Sequence, residues 1–141
     1  DGTLNMQKLL ENFVQFYREN SEVLVPNMGY QEAGPHLLLM AFLQRVINGG
    51  GKIHREYALG RRRVDVLVEF KGQRFVIETK IDYGPKTLAE GLAQTADYMD
   101  KNNSAEGHLM VFDTKSRKTW DKKIFQKVHS VGNFSVKVWG L

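Results

Sequence analysis

The stretch VDVLVEFKGQRFVIETKI, residues 64–81, consists of two apolar runs joined by Lys71-Gly72. Val, Leu, Ile and Phe dominate both runs, as in buried strands, and Lys71-Gly72 supplies a two-residue hairpin turn. That turn length fixes the pairing: Val68 faces Phe75, Val66 faces Ile77, Glu69 faces Arg74 and Asp65 faces Glu78. Every pair is complementary except the last. Two carboxylates opposed on an antiparallel ladder repel each other, so a positive group has to lie between them.

Side chains alternate along a strand, so Glu78 and Lys80 share a face with Val76, while Ile77, Thr79 and Ile81 point the other way. Asp65 lies on a common face with Leu67 and Glu69. A divalent cation satisfies the opposed acids economically, because Mg2+ is held by one or two carboxylates together with water and substrate phosphate. Lys80 then stands near the substrate rather than among the ligands. In the competing reading Lys80 neutralises both acids, and the trio is an edge-strand charge cluster of little energetic weight.

Around this hairpin the pattern alternates between helix and strand. Thr3 is a candidate N-cap for an amphipathic helix to about Glu19, with Met6, Leu9, Leu10, Phe13, Val14 and Phe16 at helical spacing. Residues 20–30 read as an irregular connection interrupted by Pro26 and Gly29. A second, largely apolar helix is expected over Gln31–Asn48, stopped by Gly49, Gly50 and Gly51. KIHREYAL then forms a strand ahead of the hairpin, TLAEGLAQTADYMDKN a third amphipathic helix with Thr87 as cap, and GHLMVFD an interior strand. One or two polar strands ending in FSVKVWGL close the chain. The order implies an α/β fold with a mixed (α+β-type) sheet covered by helices: one domain over 1–141, with an N-terminal helix and connection (1–30), a core (31–113) and a C-terminal extension (114–141).

A chain of 141 residues with 42% hydrophobic content can build one real core. The absence of cysteine rules out disulfides, thiolate metal sites and cysteine nucleophiles, and points to reducing cytoplasm. HLLLMAFL, the longest apolar run, is too short to span a bilayer, so neither secretion nor a membrane is expected. A net charge of +4 suits an anionic partner such as nucleic acid. The first residue, Asp1, suggests a fragment of a longer protein.

Asp65 on one strand, then Glu78-Thr79-Lys80 on the next, with a helix before and after, resembles the PD-(D/E)XK nuclease superfamily; Val64 stands where the nominal motif has Pro. The resemblance covers residues 31–113 and implies a restriction-endonuclease-like αβββαβ core with an additional N-terminal helix. Glu32 matches the helical carboxylate of that family in placement, with Glu56 as a rival. Gln94 and Tyr98, four apart on one helix face, resemble the Gln-x-x-x-Tyr pattern of the recombination-nuclease branch. The wider phrasing is similar to domains at the C-terminal ends of some bacterial ATPases, implying an ATPase domain in the same full-length chain.

By this resemblance Asp65, Glu78, the Thr79 carbonyl and Glu32 hold Mg2+, with Mn2+ able to substitute. The expected reaction is hydrolysis of phosphodiesters in nucleic acid, foremost DNA, with Lys80 orienting water or stabilising the phosphate. Gln94 and Tyr98 face substrate. The alternative is a catalytically silent module used for nucleic-acid binding or assembly. Arg61, Arg62 and Arg63 are either phosphate contacts or a solvated basic loop. His36 reads as a hydrogen-bonded packing residue, His54 carries still less functional signal, and Trp120 and Trp139 read as core or interface. Edge strands in the tail would support a homodimer.

Overall fold

The computed structural model describes residues 3–27, 34–48, 50–58, 63–114 and 118–141. One sheet of six strands runs through it in the order β1 (Gly51–Ala58), β2 (Arg63–Phe70), β3 (Gln73–Ile81), β4 (Glu106–Phe112), β6 (Phe134–Gly140), β5 (Phe125–Val131). β1, β2 and β3 form an antiparallel meander, β3, β4 and β6 are mutually parallel, and β5 returns antiparallel on β6. Helices α1 (Met6–Asn27) and α2 (Gly34–Ile47) cover one face, α3 (Lys86–Lys101) covers the other, and a single turn, α4 (Trp120–Lys123), precedes β5. The expectation of a mixed sheet between helices holds. Among the described residues no helix is long and apolar enough to cross a membrane.

Each face of the sheet has its own core. Val64, Val66, Val68, Phe75, Ile77, Met110, Phe112 and Trp139 pack against α1 and α2. Leu67, Val76, Leu109, Val111, Val136 and Val138 pack against Tyr98 and Met99 of α3. Burial on both sides explains why β2 and β3 are nearly continuous apolar runs.

Four local expectations need correction. Asn5, not Thr3, caps α1: its Oδ1 accepts the Lys8 N–H at 3.0 Å. The helix also runs past Glu19 to Asn27, through residues read as a connection. Tyr17 and Ser21 extend the buried stripe, and Pro26 falls in the last turn, where its missing N–H removes one hydrogen bond from a helix that is already ending. Thr87 sits inside α3, where its Oγ1 accepts the Tyr83 N–H at 3.0 Å and ties down the approach to the helix.

The fourth correction concerns the tail. β5 is the polar edge strand expected there, but β6 lies inside the sheet with Val136, Val138 and Trp139 fully buried. Trp139 donates its indole N–H to His108 Nδ1 at 3.0 Å, which leaves the Nε2 proton of His108 to the Glu106 carboxylate at 2.7 Å. The core therefore depends on the tail. Trp139→Ala should cost about 3–5 kcal/mol in urea denaturation, whereas Val128→Ala on the exposed edge strand should stay within about 0.5 kcal/mol; similar small losses from both would mean that β6 is not part of the core.

Candidate functional site

The hairpin between β2 and β3 turns through Lys71 (φ 48°) and Gly72 (φ 85°), both left-handed as a type I′ turn requires. The ladder then has the register read from the sequence, with Asp65 opposite Glu78, Val66 opposite Ile77, Val68 opposite Phe75 and Glu69 opposite Arg74. Continued by one alternate pair, it sets Arg63 opposite Lys80. On the neighbouring strand, Glu56 stands opposite Asp65. The α3 face thus carries a block of four, two opposed cations beside two opposed carboxyl groups, with a third acid in the same cross-strand row.

The positive group between the acids is Arg63. Its guanidinium donates from Nε to Asp65 Oδ1 at 2.8 Å and from Nη2 to Asp65 Oδ2 at 3.0 Å, a bidentate clasp, and Nε also bonds Glu78 Oε1. Arg63, read from the sequence as either a phosphate contact or part of a solvated basic loop, is turned inward. Asp65 is 6% exposed and Glu78 wholly buried; Glu78 Oε2 has no hydrogen-bond partner among the described residues. Burial and the adjacent Asp65 carboxylate push Glu78 from its ordinary value of 4.5 up to about 9, against the pull of Arg63.

Lys80 does not neutralise the acids. Its stem is buried beside α3, and Nζ donates to Gln94 Oε1 at 3.2 Å and to Glu90 Oε2 at 3.4 Å. Gly91 allows this: a Cβ there would lie 2.8 Å from a Leu109 methyl and 3.2 Å from Lys80 Cδ, so its absence lets α3 settle onto the sheet. One turn beyond Gln94, Tyr98 is buried against Leu67 and Val76. Burial, then the charges of Glu56, Asp65 and Glu78, push its hydroxyl up to about 12, placing it within the field of the acids.

The structure therefore brings Asp65, Glu78, Lys80, Gln94, Tyr98 and Arg63 together. Glu32, Arg61 and Arg62 lie outside the described residues. Thr79 points to the opposite face, where its hydroxyl bonds His36 Nδ1 and the Val64 carbonyl. His36 is accordingly a buried packing residue, edge-on to Phe112. His54 pairs with Glu69 at 2.7 Å on an exposed part of β1. Glu90 was not anticipated, although Glu90, Gln94 and Tyr98 repeat every four residues along one helix face, which is a readable signal.

Among the described residues no group of three or more His, Asp or Glu side chains is arranged to hold a metal ion. The donor chemistry at Asp65 and Glu78 nevertheless suits a hard cation: two adjacent carboxylates, one with an unpartnered oxygen, meeting where a guanidinium already supplies positive charge. Comparison with known proteins finds no matching family model, no matching curated protein and no matching solved structure.

The raised Glu78 value has a stability consequence with a definite sign. Between pH 4.5 and about 9 the folded chain holds a proton on Glu78 that the unfolded chain has released, so this contribution is full below 4.5 and is lost as pH rises through 9. Glu78→Gln cannot ionise. Unfolding free energies from urea denaturation between pH 5 and 9 should therefore fall more steeply for wild type, by up to about 1.4 kcal/mol per pH unit, than for Glu78→Gln. Parallel profiles would mean that Glu78 is ionised in the folded protein.

Proposed function

We propose that this chain is a metal-dependent nuclease domain that hydrolyses phosphodiester bonds, with DNA as its substrate. The observation that carries the reading is the buried Asp65–Glu78 pair, opposed across β2 and β3, with a carboxylate oxygen that has no partner among the described residues and Lys80 on the next row of the same face. Apolar strands gain nothing in stability from two facing acids, so a chemical use accounts for them better than packing does.

Asp65 and Glu78 would hold Mg2+ or Mn2+, with the Thr79 carbonyl and Glu32 as further donors. A divalent ion there supplies Lewis-acid polarisation of a phosphoryl oxygen and a bound water of lowered pKa. Arg63 has to release both carboxylates for that, and its planar fork suits a phosphate oxygen once freed. Glu78 has to lose its proton, so activity rises with pH across the neutral range. Lys80, steadied by Glu90 and Gln94, offers a compact positive charge to the negative charge that develops on the phosphate. Gln94 and Tyr98 face the same space and position substrate.

One observation favours a second reading, a silent module for nucleic-acid binding or assembly. Arg63 already neutralises the two acids, which would make the clasp a structural ion pair.

Two experiments separate the readings. Linear, circular and single-stranded DNA and RNA are incubated with wild type and Lys80→Ala in Mg2+ or Mn2+, with EDTA as control; metal-dependent cutting of DNA that falls by about 100-fold or more in the variant supports the nuclease. Inactivity of both folded proteins would favour the silent module. Separately, Arg63→Ala should lose about 1–3 kcal/mol in EDTA and recover part of it on adding Mn2+, with a larger rise in Tm than wild type shows. A variant indifferent to the metal would argue that the clasp is only an ion pair.

A further inference from the structure

The row of residues that carries Lys80 continues across the sheet: Arg63 pairs with Lys80, Lys80 with Val111, Val111 with Gly140, and Gly140 with Phe125. All of them lie at the edge where the parallel strands β3, β4 and β6 end, the edge of a sheet at which ligands of open α/β folds gather. Above the Val111–Gly140–Phe125 part of the row is a cleft of about 470 Å³, open between the start of α3 and the α4 turn. It begins one strand away from Lys80.

The lining of this cleft is unusual for an incidental surface hollow. Lys118, Lys122 and Lys123 are in the lining, outnumbering Asp82 and Asp113 at the strand ends. Asp82 is engaged locally, its Oδ1 accepting the Gly84 N–H at 3.0 Å. Lys123 has its ammonium 4.6 Å over the Trp120 ring, and Lys122 is exposed. Phe125 lines the cleft beside Lys123 and Gly140. Its ring lies where a side chain at Gly140 would be, which lets it rest against the sheet, yet the residue remains 43% exposed and belongs to neither hydrophobic core.

We propose that this cleft binds a single DNA strand and leads it to the carboxylate pair. The proposal rests on the nuclease reading for its destination and for DNA over RNA, but the cleft's own chemistry selects a single strand over a duplex. Lysines along a groove follow a phosphate backbone, and an exposed aromatic face takes a stacked base, a combination that serves single strands without regard to sequence. A base inside a duplex has both faces already stacked and is closed to Phe125. Leu88, from the first turn of α3, adds an exposed apolar side chain to the lining.

Binding of fluorescein-labelled oligo(dT), duplex DNA and oligo(U) is measured by anisotropy in EDTA, where no cutting occurs, over a salt series. Wild type should bind oligo(dT) most tightly. Phe125→Ala should weaken that binding by about tenfold, Phe125→Trp should restore it, and Lys118→Glu with Lys122→Glu should lower the salt slope by roughly two ions. Lys8→Glu, on the opposite side of the sheet, should change little, and the urea midpoint of each variant establishes that it is folded. Tighter binding of duplex or of oligo(U), or oligo(dT) binding indifferent to Phe125, would overturn the proposal. Groove-dependent binding without metal-dependent cutting would sustain the cleft while removing the nuclease; cutting with no dependence on Phe125 or the lysines would do the reverse.

Discussion

The left-handed turn at Lys71 and Gly72 is the constraint on which the other features depend. It leaves β2 and β3 no freedom of register, and a slip of one residue would move every side chain of one strand to the other face. In a sheet with one wet face such a slip is prevented by solvent. Here both faces are dry, so hydrophobicity alone distinguishes the alternatives weakly, and the turn carries more of the burden. The reward is positional accuracy: two carboxylates and two cations are set on rigid neighbouring strands rather than on loops.

The two cations divide the work according to their chemistry. Arg63, with a fork of donors, can satisfy two acids at once and remains charged under any environment a protein provides. Lys80, a point charge on a flexible stem, reaches away from them to Glu90 and Gln94 on α3. The site is consequently balanced between sheet and helix, and the close approach at Gly91 holds the two together. Glu78, with one oxygen unpartnered among the described residues, is the acid that holds its proton most tightly.

Most of the sheet was legible because period-two alternation and a Lys-Gly turn are local signals: β2, β3, β4 and their helices fall where the pattern placed them. The opposed acids were legible for the same reason, since the register follows from turn length. What was not legible depended on long-range packing. β6 resembles a polar strand because Ser135 and Lys137 alternate with Val136 and Val138, and only its insertion between β4 and β5 buries it. The length of α1 was obscured by Pro26, whose effect depends on where a helix ends rather than on the residue itself. Arg63 was seen as part of a basic run; that its side chain turns inward follows from the same register, extended by one pair.

The insertion of β6 between β4 and β5 bears on how the fold is acquired. β4 has β3 as a neighbour early, but its other edge remains a row of unpaired N–H and C=O groups until residues 134–140 are available. Parallel pairing across such a separation is slow, because loop closure comes before any contact that rewards it. During synthesis the domain would pass through a stage with an open, apolar strand edge, the state most exposed to association with other chains. A chaperone, or a rate of elongation that keeps this interval short, would therefore raise the yield of folded protein.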